Sequence, residues 1–292
     1  MRKSKGYRKE KALGIVSAVV FVILAVLYLV DALFTPKHKV VHAECEIHFV
    51  DVGQGDCTMV ISDENVIVVD CGPRESAKDA SEYIKSYTDT IDYLVLTHPH
   101  EDHIGGAEQI LEDISVENVI MSDAVTDTLV FDSLLCALDE NNVNVIEAFA
   151  GNSYAAGKLD LSILSPAGEM TNLNDYSIVA RISYMDVSVM VTGDVEHNSE
   201  KAIVDAFSKK DIESELLKVS HHGSSTSNHE SFVKAVDPEF AVIQCGEDNS
   251  YGHPHREIID LLNKLNIEYY RTDEEGSVVF VTDGIGVELK DQ

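Results

Sequence analysis

From residue 45 onward the chain alternates short apolar, β-branched runs with polar or glycine-bearing breaks. Residues 46–52, 57–62 and 66–70 read as three consecutive strands. The stretches Gly53-Gln54-Gly55-Asp56 and Asp63-Glu64-Asn65 read as the turns between them. A helix is expected over about residues 76–87, then a fourth strand over residues 93–97. The same order recurs further on. Residues 159–164, 177–184 and 187–192 read as strands, 197–207 as a helix and 215–220 as a fourth strand, and Pro254 can open a last helix over residues 255–265. Two such halves predict an α/β protein in which two sheets pack face to face with helices outside, a four-layer αββα sandwich. No low-complexity stretch interrupts residues 45–292, which are therefore expected to form one domain.

The first 44 residues follow a different pattern. Residues 1–11 form a basic segment, with Arg2, Lys3, Lys5, Arg8, Lys9 and Lys11 against Glu10, and residues 12–30 then run without a charge. A span of that length approaches the ~20 residues needed to cross a bilayer as a helix. It predicts one N-terminal transmembrane anchor over residues 12–34, with the basic flank in the cytoplasm, a tether over 35–44 and the remainder outside the cell. The rival, a cleaved signal peptide, has a shorter apolar region of ~7–15 residues followed closely by a small-residue site. Here the nearest such site, Val41-His42-Ala43, lies well past the apolar run, which favours the uncleaved anchor.

Charge narrows the partners. Residues 1–44 hold 8 Lys and Arg against 3 Asp and Glu, so of the chain's 22 and 51 the rest hold 14 against 48, a formal charge of −34. Such a field repels polyanions, and no basic groove for nucleic acid is visible. The five cysteines are widely spaced, without a CxxC pair, and read mostly as small buried hydrophobes rather than a disulfide framework.

Candidate chemistry is concentrated in His98-Pro99-His100-Glu101-Asp102-His103, directly after the fourth strand. Three imidazoles and a carboxylate in six residues are ligands for a borderline-soft divalent metal. In the second half, Asp194 closes a third strand as Asp70 does in the first, and His221 opens the loop after a fourth strand as His98 does. Loops from both halves meeting at one edge would let residues more than a hundred apart share a metal.

The HxHxDH cluster, Thr192-Gly193-Asp194 and the downstream histidine loop resemble the metallo-β-lactamase fold hydrolases. More narrowly, residues 49–56 (FVDVGQGD), Asn174-Asp175-Tyr176-Ser177, His221-His222-Gly223-Ser224 and Tyr251-Gly252-His253-Pro254 are similar to the exported hydrolase domain of the ComEC/Rec2 competence proteins. That resemblance implies two divalent ions, Zn²⁺ or Mn²⁺. His98, His100 and Asp194 would hold one; Asp102, His103, Asp194 and a histidine of the second loop would hold the other. The repeat favours His221 for that role, with His222 as runner-up and otherwise turned toward substrate. Ions so held lower the pKa of bound water and polarise a phosphoryl or carbonyl oxygen. Two departures stand out: a single apolar span cannot form the many-helix channel of ComEC-type proteins, and residues 104–193 contain no histidine where the wider family often has a ligand. The second suggests an asymmetric or partly open site.

Further roles follow with alternatives. Asp102 can also orient the attacking water. Asp70 can support the ligand loops from behind or simply end a strand; Gly55 and Asp56 can shape the cleft floor or make a hairpin turn. Asn174 and Ser177 can hydrogen-bond substrate or cap the next strand. Ser224, with Ser225 and Thr226, can bind phosphate or form a plain polar loop. His253 can give a proton to a leaving group or be structural.

The leading expectation is a membrane-anchored extracellular metallohydrolase of phosphodiesters, either a nuclease of single-stranded DNA or an esterase of phosphorylated surface polymers such as phosphorylcholine esters. Competence-system proteins are expected partners. β-Lactam hydrolysis is a weaker alternative, because function belongs to the site rather than the fold. A non-catalytic surface module would not need all six of His98, His100, Asp102, His103, Asp194 and His221.

Overall fold

The computed structural model describes residues 42–290 apart from 168 and 169. The basic segment, the expected membrane anchor and most of the tether lie outside the described residues. Among the described residues no helix is long and apolar enough to cross a membrane.

The first sheet contains eight strands, β1 (Cys45–Phe49), β2 (Thr58–Ser62), β3 (Asn65–Val69), β4 (Thr90–Leu96), β5 (Ser115–Met121), β6 (Asn144–Glu147), β14 (Val278–Thr282) and β15 (Val287–Leu289), in the order β15-β14-β1-β2-β3-β4-β5-β6. The second contains β7 (Ser153–Ala156), β8 (Leu159–Ser165), β9 (Val179–Tyr184), β10 (Val187–Val191), β11 (Leu216–Lys218), β12 (Phe240–Ile243) and β13 (Glu268–Arg271), in the order β13-β12-β11-β10-β9-β8-β7. Ile47, Phe49, Val69 and Val95 from one sheet and Leu161, Ile182, Val191 and Val242 from the other belong to one buried apolar cluster, the core between the sheets.

Helices cover both outer faces. On the first sheet, α1 (Ala77–Lys85), α3 (Ala107–Asp113) and α4 (Leu129–Glu140) pack Ile84, Ile110 and Leu134 against Met59, Val68 and Leu94. Between α1 and α3 in sequence lies the short α2 (Glu101–Ile104). On the second sheet, α5 (His197–Ala206), α7 (Glu230–Val236) and α8 (Arg256–Leu265) pack Ile203, Phe232 and Leu262 against Met190, Leu217 and Ala241. Two single-turn helices, α6 (Lys209–Ile212) and α9 (Thr272–Glu275), complete the set. The four-layer α/β sandwich expected from the sequence is thus present.

The internal repeat is also present in the topology. β1-β2-β3 form an antiparallel meander, and β4 returns parallel to β3. β8-β9-β10 do the same, and β11 returns parallel to β10. In parallel pairs the crossover sends the next loop to the same edge, so the chain leaves β3 and β4 at one edge of the first sheet and β10 and β11 at one edge of the second. Cys45, Cys57, Cys71 and Cys245 are free and buried, and Cys136 is free and exposed.

Candidate metal centre

Two close approaches bring the loops together. Gly193, at φ +50°, lies where a Cβ would meet the Thr97 side chain at 2.9 Å, and Gly55 lies where a Cβ would meet the Asp102 carbonyl oxygen at 2.4 Å. Only glycine combines that backbone and that proximity at residue 193. The amide of Ile178 donates to Thr97 O (2.9 Å) and that of His221 to Gly193 O (3.0 Å), so the loop after β4 is tied to the segment entering β9, and the loop after β11 to the loop after β10.

Six of the side chains singled out in the sequence converge in two overlapping sets. His98, His100 and Asp194 form one; Asp102, His103, Asp194 and His222 form the other, the potential ligand atoms of each lying within 4.8 Å of one another. The two sets share Asp194 in a definite way. Its Oδ2 lies 3.8 Å from His98 Nε2, whereas its Oδ1 lies 3.2 Å from His103 Nε2 and 3.7 Å from His222 Nε2. His222 Nε2 is also 3.3 Å from Asp102 Oδ2, and His98 Nε2 faces His100 Nδ1 at 2.8 Å.

The histidine of the second set corrects the expectation from the repeat. His222, not His221, joins Asp102 and His103, because the residues after β11 do not continue as extended chain. His221 and His222 have φ of 52° and 53°, a left-handed backbone that costs on the order of 1–2 kcal/mol for each non-glycine residue, and the alternation of a strand does not apply there. Asn228 secures this turn, accepting from Ser220 N at 2.9 Å and donating to Ser220 O at 2.9 Å. His221 lines the cleft instead. Its Nε2 is 3.6 Å from Asp194 Oδ2, the oxygen that faces the first set.

The donor sets fit divalent cations. His103 Nδ1 hydrogen-bonds Asp70 Oδ2 at 2.7 Å, and His222 Nδ1 hydrogen-bonds Gln244 O at 2.9 Å. Those partners fix both rings with Nε2 toward the centre, as supporting groups do behind imidazole ligands. His103 Nε2, His222 Nε2 and Asp194 Oδ1 are buried and lack hydrogen-bond partners, where such atoms are ordinarily satisfied.

The electrostatics agree. Burial opposes charge on Asp194, but the neighbouring His103 and His222 overcome it and hold the carboxyl well below its ordinary range. Burial equally opposes protonation of His222, yet Asp194 and Asp56 raise it to about 9, and Asp194 and Asp70 raise His103 well above the usual value. Without a metal, protons on these rings balance the carboxylates. A cation would take over that balance.

Asp70 lies behind His103, accepting also from Thr97 N (2.8 Å) and Thr97 Oγ1 (2.7 Å). Asp56 is not an exposed turn residue: it is 1% exposed, with Oδ1 3.2 Å from His222 Nδ1 and Oδ2 paired to Lys218. Burial works against its charge, but Lys218 and then His222 lower its pKa. Ser177 is fully buried, and its hydroxyl accepts from Asp194 N at 3.1 Å. It positions the shared carboxylate and cannot reach a substrate. Ser224 is likewise drawn inward, its hydroxyl within 3.1 Å of Thr226 Oγ1, and it lies outside the cleft lining.

The cleft above the two sets has a volume of about 520 Å³ and is lined by Gln54, Asn174, Tyr251 and His253 besides the donors. Among the described residues no lysine or arginine lines it, and Glu75 and Glu101 stand at its wall. Asn174 Oδ1 is buried without a partner at this surface, and its Nδ2 donates to Glu196 Oε1 at 3.4 Å. Burial, and then the charge of His222, depress His253 to about 4. It is therefore neutral at pH 7 and suited to accept a proton or hydrogen bond. Tyr251 stacks on it with centroids 5.6 Å apart. Sequence reasoning missed Lys218, Gln244 and Thr97; the one available signal was a lysine inside the apolar run Leu216-Leu217-Lys218-Val219.

In comparisons with known proteins, the model of the metallo-beta-lactamase superfamily matches residues 50–140 of this chain. In sequence the chain is similar to competence proteins of the ComEC/Rec2 family. It is 28% identical to ComE operon protein 3 of Bacillus subtilis over 82% of this chain and 33% of that protein, and 28% identical to Recombination protein 2 of Haemophilus influenzae over 80% and 28%. The chain thus spans a third or less of these relatives. In fold it is similar to the metallo-beta-lactamase fold protein YhfI of Bacillus subtilis, with a TM-score of 0.54 at 14% identity over 81% of this chain and 98% of that one. It is similar also to Igni18, a metallo hydrolase of Ignicoccus hospitalis, with a TM-score of 0.51 at 17% identity over 80% and 98%.

Proposed function

We propose that this protein is a membrane-anchored, extracellular hydrolase that uses two divalent metal ions, Zn²⁺ or Mn²⁺, to cleave phosphodiesters. The observation that carries the proposal is the shared Asp194, one oxygen turned to each donor set at the floor of an open cleft. His98, His100 and Asp194 would hold one ion, and Asp102, His103, Asp194 and His222 the other. Bound there, the ions would acidify water, polarise the phosphoryl oxygen and stabilise the leaving oxygen.

The remaining roles belong to the chain's own groups. Asp102, whose Oδ1 is 4.0 Å from His103 Nε2 and which borders the cleft, can orient the attacking water. Asn174, whose Nδ2 donates to Glu196 Oε1 (3.4 Å) and whose Oδ1 has no partner, can accept a hydrogen bond from a substrate hydroxyl or from water, and neutral His253 can relay a proton at the cleft wall. Similarity to the competence proteins supports the phosphodiester class, including single-stranded DNA, and competence proteins as partners. The uncharged run of residues 12–30 behind a basic segment supports the anchor and the extracellular domain.

A second reading, an esterase of small phosphorylcholine-type groups on surface polymers, is favoured by the acidic, lysine- and arginine-free lining. DNA-binding grooves present cations to phosphates. The test is hydrolysis by the metal-loaded protein of single-stranded DNA, bis-p-nitrophenyl phosphate, p-nitrophenyl phosphorylcholine and a chromogenic β-lactam. Turnover of the first two supports the phosphodiesterase, and of the third alone the esterase. Two metals per chain with no turnover of any of them would remove the phosphodiester proposal, and no metal would leave only a binding module.

A further inference from the structure

Lys218 ends β11 in the interior of the second sheet, and its side chain is fully buried. Lysine is almost never buried without a partner, and this one has crossed to the first sheet's β1–β2 loop, where its ammonium contacts Asp56 Oδ2. Asp56 touches three members of the second donor set. Its amide donates to Asp102 O (3.1 Å), its Oδ1 lies 3.2 Å from His222 Nδ1 and its Oδ2 lies 3.7 Å from His103 Nδ1. Asp56, Asp70 and His103 also form a third group with metal-ligand spacing. The Lys218 ammonium already supplies a cation beside it, and His103 Nδ1 is committed to Asp70.

We propose that Lys218 is a positioning residue of the second metal site, fixing the Asp56 carboxylate so that it in turn orients the rings of His222 and His103. The inference rests on the dinuclear reading above. It confines the effect to one ion, because the first set, His98 and His100 with Asp194 Oδ2, has no contact with Asp56 or Lys218 among those described. Removal of a supporting group behind a metal ligand typically costs 10–100-fold in metal affinity.

The test is competition of the full-length, metal-stripped protein with a chelating indicator for Mn²⁺ and for Zn²⁺. Wild type is expected to bind two ions. Lys218→Met should weaken one of them by about 10–100-fold and leave the other within about twofold. A purely structural lysine would instead lower thermal stability and leave both affinities alike. Should Lys218→Met not fold, the Asp56→Asn/Lys218→Met double variant carries the same test without a buried unpaired charge. It is expected to fold and to bind one ion about 10-fold more weakly. Equal loss of both ions, or unchanged affinity for both in a folded variant, overturns the inference while the dinuclear reading stands. A wild type that binds no divalent ion overturns both.

Discussion

Asp194 and the adjacent pair His221 and His222 concentrate the chemistry at the scale of single residues. Asp194→Ala removes the one carboxylate common to both sets. Loss of a direct ligand should exceed the 10–100-fold typical of a supporting group, so turnover should fall by more than about 100-fold, with elemental analysis finding fewer than two metals per chain. Full activity with two metals would eliminate a shared carboxylate. The two histidines separate differently. His222→Ala should lower metal content and turnover together, because Nε2 of His222 lies 3.3 Å and 3.7 Å from Asp102 and Asp194. His221→Ala should retain the second ion. If His221→Ala strips that ion while His222→Ala keeps it, the geometry of the turn is misassigned. The histidine cluster was legible in the sequence because its ligands are local. The choice between His221 and His222 was not, because it depends on two left-handed residues held by Asn228. Nor was Lys218, whose partner is set by packing between sheets, or Gln244, whose side chain donates to Val50 O 194 residues away in sequence.

At the scale of elements, the two strand–helix–strand halves were readable from their periodicity and turn residues, and so was their meeting at one edge. The remaining strands, β5–β7 and β12–β15, were not, being short or paired with partners distant in sequence. Helix α5 shows how an element reaches the site from outside it. Its Glu200 is fully buried, and its two oxygens accept the amides of Asn228 and His229, so it holds the residue that secures the turn of His221 and His222. Against the ionised carboxylate, above pH about 8, Glu200→Gln replaces one acceptor with a donor facing an N–H, which should cost about 1–3 kcal/mol and lower Tm by roughly 2–4 °C per kcal/mol. Burial also raises this carboxyl to about 8. The folded state therefore holds a proton that the unfolded state releases near its ordinary 4.5, and the contribution of Glu200 to stability is full below that value and is lost as pH rises through about 8. Thermal melts of wild type and Glu200→Gln between pH 5 and 8.5 should show the steeper decline in wild type. Parallel curves would mean that Glu200 stays ionised in the fold.

Over the whole molecule, charge and length decide what can reach the site. The chain spans a third or less of the length of its competence relatives, and the charge it carries acts on any substrate that approaches the cleft. With 14 Lys and Arg against 48 Asp and Glu after residue 44, and a second acidic cleft bearing Asp51, Asp79, Glu247 and Glu274 beside the first, the field at the entrance repels a polyanion. Repulsion of a long strand is screened as salt is added, the Debye length falling from ~30 Å at 0.01 M to ~10 Å at 0.1 M. A protein that binds DNA through cations loses affinity over that range. Here the sign should reverse: kcat/KM for a single-stranded oligonucleotide should rise between about 10 and 100 mM monovalent salt, while that for bis-p-nitrophenyl phosphate, with one charge, stays nearly flat. The comparison needs a fixed, saturating divalent metal so that only screening varies. A kcat/KM for the oligonucleotide that falls with salt would require a cationic track for the strand, on a surface that the described residues do not provide in the cleft.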